Sequence, residues 1–242
     1  TINPIPIIAG LHSTIQRVLS IRALPERQRL YYLQYQKKLP PIPCNEDTLL
    51  PAEAFQEERY NVEVPELYAI YPFRNYTQNK PNLELAKRTY SLRTKEYGID
   101  QPFQIGLTPK APSYSGWQSA GVVAALLGLE EDAAEILRRN CALQNPGTRF
   151  PGMWGPIYNA VPDTDHGANI LNQLQKMVMQ VEGRTIFICP AFPKKWNVAF
   201  KLFVDAETIM EVKCENGIFS DIRQIGLDGK VVDRYIVKII CE

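Results

Sequence analysis

The sequence lacks most of the patterns that identify common catalytic and binding sites. Its 242 residues contain no apolar run close to the roughly 20 residues that a membrane-spanning helix needs. They contain no phosphate-binding glycine loop, no G-x-S-x-G nucleophile motif and no H-E-x-x-H metal motif. Lysine and arginine (27) nearly balance aspartate and glutamate (26), so no charge excess would draw the chain to nucleic acid. We therefore expect neither a membrane span nor a nucleic-acid partner.

Cysteine and histidine are also scarce. The five cysteines lie far apart in the sequence, and no two have the short spacing of a metal knuckle or a redox C-x-x-C motif. There are only two histidines. The sequence thus predicts no metal site, and it implies no cofactor.

Apolar residues recur at helical spacing through about three quarters of the chain. This period predicts helices over residues 7–19, 25–38, 82–97, 118–127 and 133–141, and a last one from just after Asp165 to Gly183. Two long irregular segments, residues 40–73 and 144–165, interrupt the helices. Such segments are usually functional or disordered.

Beyond Gly183 the hydrophobic period changes from 3.6 to 2, which predicts strands. Asn216-Gly217 and Asp228-Gly229 predict two hairpins there. Helix pairs joined by long polar and aromatic loops favour an α/α toroid whose loops gather at one end. We expect a mainly α chain, with residues 1–183 forming the second half of an (α/α)6 toroid and residues 184–242 forming a small, sandwich-like antiparallel β domain.

Two loops concentrate carboxylates and aromatic residues, which is the combination typical of sugar sites. Carboxylates can protonate a glycosidic oxygen or activate water, and aromatic faces stack on pyranose rings. Trp117 begins a third candidate region, after the short flexible segment 113–116. The candidate residues are Glu63, Glu66 and Tyr68 in the first loop, Arg149, Trp154, Asp163, Asp165 and His166 in the second, and Trp117.

Each candidate also has an ordinary structural interpretation. Asp165 precedes the clearest helix, so it is either a helix cap or an ionised base stabilised by the helix dipole. Glu63 and Glu66 could be loop carboxylates bonded to backbone groups. His166 could be a structural histidine, and Trp117 could pack a helix end. The residues alone leave these alternatives open.

Several of these segments resemble the end of the toroid in glycoside hydrolases of family ninety-five, above all an uncharacterised bacterial branch. The similar stretches are Asp165-His166-Gly167-Ala168-Asn169, then Gln175-Lys176-Met177-Val178-Met179-Gln180, then Pro190-Ala191-Phe192-Pro193-Lys194-Lys195-Trp196. Upstream, Pro65-Glu66-Leu67-Tyr68-Ala69-Ile70-Tyr71-Pro72 is similar to a loop of that family. The family includes inverting α-L-fucosidases and α-L-galactosidases.

The resemblance implies an inverting glycoside hydrolase that acts on an oligosaccharide or polysaccharide, in which Asp165 is the general base. Asp163 and His166 would orient that base. Glu63 and Glu66 replace histidines of the family, and either could serve as the general acid. The sugar-binding residues it implies are Trp154, Tyr68 and Trp117 as stacking walls and Arg149 as a partner for a hydroxyl or carboxylate.

The family's own general acid would precede Thr1. We therefore expect this chain to be a fragment that pairs with an upstream portion of the same toroid, in a bacterial periplasmic or secreted protein. Two alternatives remain. One is a non-catalytic glycan-binding or scaffold module. The other is a lyase for acidic sugars, which would use a Tyr or His base and an Arg or Lys to neutralise the uronate.

Overall fold

The computed structural model describes residues 1–56, 64–96, 119–142 and 165–240. These residues form six α-helices, one 3-10 helix and eight strands in three small sheets. The helices are α1 (Ile5–Leu19), α2 (Glu26–Gln36), the 3-10 helix (Pro65–Ala69), α3 (Leu83–Glu96), α4 (Ala120–Leu127), α5 (Glu130–Ala142) and α6 (Asp165–Val178). The strands are β1 (Ile2–Pro4), β2 (Ala52–Ala54), β3 (Met179–Glu182), β4 (Thr185–Ile188), β5 (Val198–Phe203), β6 (Thr208–Glu215), β7 (Ile218–Gly226) and β8 (Ile236–Ile239). They belong to two compact units, Thr1–Ser113 and Tyr114–Glu242.

The expectation of a mainly α fold, half an α/α toroid followed by an antiparallel β domain, is wrong. Strands occur in both units. In the first unit, β1 pairs antiparallel with β2. The C-terminal strands are not all antiparallel either, since β8 pairs parallel with β4. The predicted domain boundary between residues 183 and 184 requires that each part fold independently, and it stays a prediction.

The first unit is built on α1. Ile5, Ile8 and Ile15 recur on one face of this helix and are each at most 4 % exposed. Around Ile5 and Ala9, Leu49 and Ala69 complete a fully buried cluster. The irregular segment after α2 thus supplies core residues, and it is held to the chain start by β1–β2 pairing.

Helix α2 differs from α1 because none of its residues is buried. The side chain of Arg29 anchors it, donating from Nη1 to the Leu19 carbonyl at 2.7 Å and from Nη2 to the Ile21 carbonyl at 2.9 Å. Leu19 is the last residue of α1, where carbonyls have no helical partner, and Ile21 lies two residues beyond it. One guanidinium therefore satisfies the end of α1 and fixes the start of α2.

Helices α4, α5 and α6 form the helical part of the second unit. Every residue of α4 from Gly121 to Leu127 is buried, as expected of a helix that is apolar on all sides. Gly128 ends α4 with a φ of 74°, a left-handed conformation that glycine adopts without strain. Helix α5 then packs on α4, so the helices predicted over residues 118–127 and 133–141 form a hairpin across Gly128.

The last helix ends earlier than its sequence pattern predicts. The apolar pattern was expected to continue to Gly183, but α6 ends at Val178 and β3 begins at Met179. Gly183, with a φ of 58°, instead forms the turn between β3 and β4. The Cys189 amide donates to the Val178 carbonyl at 2.8 Å, which connects the helix end to the residue after β4. The residues predicted to form the last turn of the helix thus form β3, which pairs with β4.

Strands β5, β6 and β7 form an antiparallel sheet in which consecutive strands are neighbours. Asn216 and Gly217 have φ values of 52° and 76°, the left-handed pair that a tight hairpin turn requires, so the first predicted hairpin is confirmed. The second is present but short: Gly229 has a φ of 77° and an antiparallel bridge joins Ile225 with Val231 across the turn, after which the chain leaves β7 and pairs β8 with β4. Gln224 accounts for this departure: its Oε1 accepts from the Arg234 and Tyr235 amides at 3.1 and 2.9 Å.

Candidate functional site

Asp165 is the first residue of α6. At this position four backbone N–H groups lack helical partners, and the helix dipole favours an ionised carboxylate. The side chains of Asp165 and His166 lie outside the described part of the chain. The predicted placement of Asp165 at a helix start is therefore confirmed, whereas its chemical role stays a prediction.

Helix α6 is rigidly held in the second unit. Gln173 is 2 % exposed, and its Nε2 donates to the Ala133 carbonyl of α5 at 2.6 Å. On the next turn Met177 is fully buried. Across from Gln173, α4 approaches so closely that a Cβ on Gly121 would lie 2.0 Å from Gln173 Oε1. The position of Asp165 is thus fixed by contacts about two turns further along its helix.

Glu66 and Tyr68 lie together on the 3-10 helix of the first unit. Glu66 is completely buried, with 0 % exposure, and Tyr68 is half-buried. The Tyr68 ring lies 6.4 Å from that of Phe73 at an angle of 46°. A general acid must reach the oxygen that it protonates. The burial of Glu66 shows that its carboxyl is closed to bulk solvent in this conformation.

The remaining predicted site residues lie outside the described residues: Glu63, Trp117, Arg149, Trp154 and Asp163. Glu66 belongs to the first unit and Asp165 to the second. Their meeting in one site stays a prediction.

A groove of the second unit combines acidic and aromatic side chains. Its volume is about 650 Å³, and its lining includes Asp132, Glu135, Lys195 and Trp196. Burial, with a smaller contribution from Glu131, raises the pKa of Asp132. In the sequence, Trp196 belongs to a motif and is not among the candidate site residues. Carboxylates beside an indole ring suit a sugar, but a groove of this kind also occurs between ordinary packed elements.

The described residues that line this groove come from α5 and from the segment after β4. Gln173 contacts Ala133, which is adjacent to Asp132, and Gln173 lies eight positions after Asp165 on α6. Eight helical residues correspond to about 12 Å along the axis, which is longer than the roughly 6.5–9.5 Å between the carboxyls of inverting enzymes. The backbone of Asp165 therefore lies about 12 Å along α6 from the turn that contacts α5.

A polar cleft of the first unit was not predicted from the sequence. It has a volume of about 310 Å³ and lies between α1 and the segment that follows the 3-10 helix. His12 and Gln16 line one side, and Asn75, Tyr76 and Lys80 line the other. The only advance signal was the i, i+4 spacing of His12 and Gln16, which places both on one helix face. From the sequence alone, His12 lies on a predicted helix without partners and is interpreted as structural, and Gln16 is not a candidate.

No family model matches this chain, and a search of curated proteins likewise gave no significant match. Within the part of the chain that the structure describes, no group of three or more His, Cys, Asp or Glu residues could hold a metal ion. Over the same residues, no helix combines the length and apolar character that crossing a bilayer requires.

Proposed function

We propose that this chain is the base-carrying part of a carbohydrate-active protein that hydrolyses glycosidic bonds with inversion. The observation that carries the proposal is the position of Asp165 at the start of α6, a helix anchored through Gln173. The acid and aromatic segments of the sequence, and their resemblance to family ninety-five, supply the substrate class. The proposal does not include a toroid.

In the proposed reaction, Asp165 accepts a proton from a water molecule whose oxygen attacks the anomeric carbon. The bond from that carbon to the leaving oxygen breaks, and a second carboxyl protonates the leaving oxygen. Glu63 and Glu66 are the candidates for that acid, and burial makes Glu66 the weaker of the two. Asp163 and His166 would orient the base. The sugar would stack on Trp154, Tyr68 and Trp117, with Arg149 as a polar partner.

The test compares Asp165→Asn with Asp163→Asn in the protein that shows turnover on a panel of aryl glycosides. The asparagine can still cap α6 but cannot accept a proton, so we expect kcat to fall about 10²- to 10⁴-fold while the melting temperature changes little. The acidic limb of the pH–rate profile, which reports the base, should disappear. Azide should restore part of the activity and give a product of inverted configuration.

Asp163→Asn is the matched control, and it should retain most of the activity. If Asp165→Asn keeps near wild-type turnover with an unchanged acidic limb, Asp165 is only a helix cap. The proposed base assignment would then be wrong.

The complete burial of Glu66 favours a second candidate function, a glycan-binding module without turnover. A closed carboxyl cannot donate to a bound sugar, although it can support the 3-10 helix that carries Tyr68. A glycan array followed by a reducing-end assay separates the two functions. Binding without release of reducing ends would indicate the binding module, and an unsaturated product would indicate a lyase.

A further inference from the structure

The charged walls of the groove in the second unit do not neutralise each other. Glu131 and Asp132 line it from α5, and Lys194 and Lys195 line it from the segment after β4. Within the described part of the chain, no ion pair joins either carboxylate to either lysine. Because opposite charges attract when they are within about 4 Å of each other, the two walls stand far enough apart to admit a third molecule.

Trp196 supplies the aromatic surface of this groove. The residue is partly exposed, and its backbone amide donates to the Pro193 carbonyl at 2.9 Å. The ring of the buried Phe192 meets the indole edge to face, with the ring centroids 5.5 Å apart and the planes at 83°. Such a contact covers at most one face of the indole. The ring of Trp196 is thus held in place, and Phe192 leaves it a face on which the apolar side of a sugar ring can stack.

The groove offers hydrogen-bond donors and acceptors around this ring. Trp196 Nε1 donates to none of the described residues and is not a buried atom, so a molecule in solution can reach it. The ammonium groups of Lys194 and Lys195 are further donors, and the carboxylates of Glu131 and Asp132 are acceptors. A ligand with several hydroxyl groups matches this set, because each hydroxyl both donates and accepts.

The size and the charge of the groove restrict the ligand further. Its volume of about 650 Å³ falls within the range of roughly 300–1,000 Å³ that is usual for small-molecule sites. The described lining carries four carboxylates and three cationic side chains, so neither charge is in clear excess. This balance favours an uncharged ligand over an anion or a cation.

We propose that this groove is a binding site for a neutral oligosaccharide, separate from the reacting bond. One sugar ring stacks on Trp196, and its hydroxyls bond to the carboxylates of α5 and to the lysines of the opposite wall. The class of ligand rests on the proposed function, whereas none of the lining residues is assigned to the reaction. Ala134 lines the groove next to Ala133, whose carbonyl accepts from Gln173, about 12 Å along α6 from Asp165.

The test is titration of the full chain with neutral tetrasaccharides of β-linked glucose, mannose, xylose and galactose, followed by calorimetry and by tryptophan fluorescence. We expect saturable binding of at least one of them. The chain has three tryptophans, so the fluorescence change that accompanies binding should disappear in Trp196→Phe. Absence of saturable binding for all four probes, or a fluorescence change that persists in Trp196→Phe, would overturn the proposal.

Substitutions in the groove locate the binding. Trp196→Ala should weaken binding of the tetrasaccharide at least about tenfold, because it removes the stacking surface. Trp196→Phe keeps a ring against Phe192 but loses the indole N–H, so it should weaken binding about two- to tenfold. Lys195→Met removes a donor and should weaken binding about two- to fivefold. Lys230→Met is its matched control, because Lys230 is an exposed lysine of the same unit outside the groove, and it should leave the affinity unchanged.

Equal effects of Lys195→Met and Lys230→Met would place the binding elsewhere and contradict the proposal. If Trp196→Ala fails to fold, because the indole also packs on Phe192, Trp196→Phe and the two lysine variants still decide.

Turnover separates this groove from the proposed hydrolytic site. Trp196→Ala, or Trp196→Phe in its place, should leave kcat/KM for an aryl monoglycoside unchanged, because that substrate does not extend to the groove. A parallel loss of turnover and of tetrasaccharide affinity would place Trp196 in the hydrolytic site and overturn the proposal. Binding that depends on Trp196, in a chain without turnover on any aryl glycoside, would support the groove and refute only the proposed hydrolysis.

Discussion

At the residue scale, Gly121 and Gln173 fix how closely α4 and α6 approach each other. A Cβ at Gly121 would lie 2.0 Å from Gln173 Oε1 and 2.8 Å from its Nε2. Glutamine is flexible, but this one is 2 % exposed and its Nε2 is bonded to the Ala133 carbonyl, so it cannot move aside without losing that bond. Glycine is needed here for space rather than for backbone conformation.

We therefore expect Gly121→Ala to lower the free energy of unfolding by about 1–3 kcal/mol, measured by urea denaturation, because the new methyl group overpacks a closed contact. Gly167→Ala on α6 is the matched control. A Cβ at Gly167 would meet no atom within 4 Å, and alanine favours a helix over glycine by about 1 kcal/mol. The two substitutions should have opposite signs. Equal effects would show that the Gly121 contact is not closed.

Tyr235 and Asp205 form a second residue pair with a measurable consequence. Tyr235 Oη donates to Asp205 Oδ2 at 2.5 Å. This bond is the largest of the contributions that lower the pKa of Asp205, which include backbone amides of the β5–β6 turn. The same bond raises the pKa of Tyr235. Because both groups are largely exposed, the effect is on titration more than on stability.

Tyr235→Phe should raise the pKa of Asp205 toward its ordinary value, observed by NMR titration of the carboxyl carbon. A lowered pKa in the folded state adds stability above the unfolded pKa, and that stability is lost as the pH falls through the folded pKa. The stability difference between wild type and variant should therefore shrink in acid. Tyr31→Phe on exposed α2 should leave Asp205 unchanged. An unaltered pKa in Tyr235→Phe would contradict the assigned cause.

At the element scale, the side chain of Arg29 joins α2 to the chain at the end of α1. Helix α2 has 11 residues, none of them buried, and isolated helices of this length are marginal in water. Its described link to α1 includes the two bonds from Arg29 to the Leu19 and Ile21 carbonyls. A hydrogen bond from a charged group contributes about 1.5–3 kcal/mol at most, and less when exposed.

Arg29→Met keeps the aliphatic stem and removes both bonds, so we expect faster amide hydrogen exchange over residues 26–36, by about fivefold or more. Arg27→Met is the control, because Arg27 is exposed on the same helix. Exchange should remain unchanged in that variant. If both variants exchange alike, contacts other than Arg29 hold α2.

The elements differ in how far the sequence could predict them. Long amphipathic segments such as α1 and α6 were predicted because their apolar period extends over several turns. The strands β1 and β2 were missed, since three residues such as Ala52–Ala54 show no alternation. The parallel pairing of β4 with β8 joins residues about fifty positions apart, and local patterns contain no information about such pairing.

The candidate sites show the same limit. Asp165 at the start of α6 follows from a carboxylate that precedes an apolar period, a purely local signal. The cleft that contains Asn75 and Lys80 depends on how the segment after the 3-10 helix lies against α1, which is a tertiary arrangement. The burial of Glu66 was equally unpredictable, because a glutamate in a proline-rich segment usually indicates an exposed loop.

At the scale of the whole molecule, helices and strands of the second unit share one structure. Gln180 on β3 is 1 % exposed, and its Nε2 donates to the Ala125 carbonyl of α4 at 2.7 Å. The Ala191 amide beyond β4 donates to the Met177 carbonyl of α6. Strand β4 itself lies between β3 and β8 in the sheet. A cut after Gly183 would therefore remove one sheet neighbour of β4 and the helices bonded to its flanks.

This arrangement decides between two boundaries, the predicted one after residue 183 and the unit boundary after residue 113. A fragment of residues 114–242 keeps β3, β4 and β8 with α4 to α6, so we expect cooperative thermal unfolding and slow hydrogen exchange at Ile186 and Ile188, which are fully buried. A fragment of residues 184–242 lacks β3, the neighbour of β4, and loses the Met177 and Val178 carbonyls, which accept from the Ala191 and Cys189 amides. It should unfold without a cooperative transition. Cooperative unfolding of the shorter fragment would instead establish residues 184–242 as an independent domain, because a sheet that folds without β3 and α6 needs neither for its core.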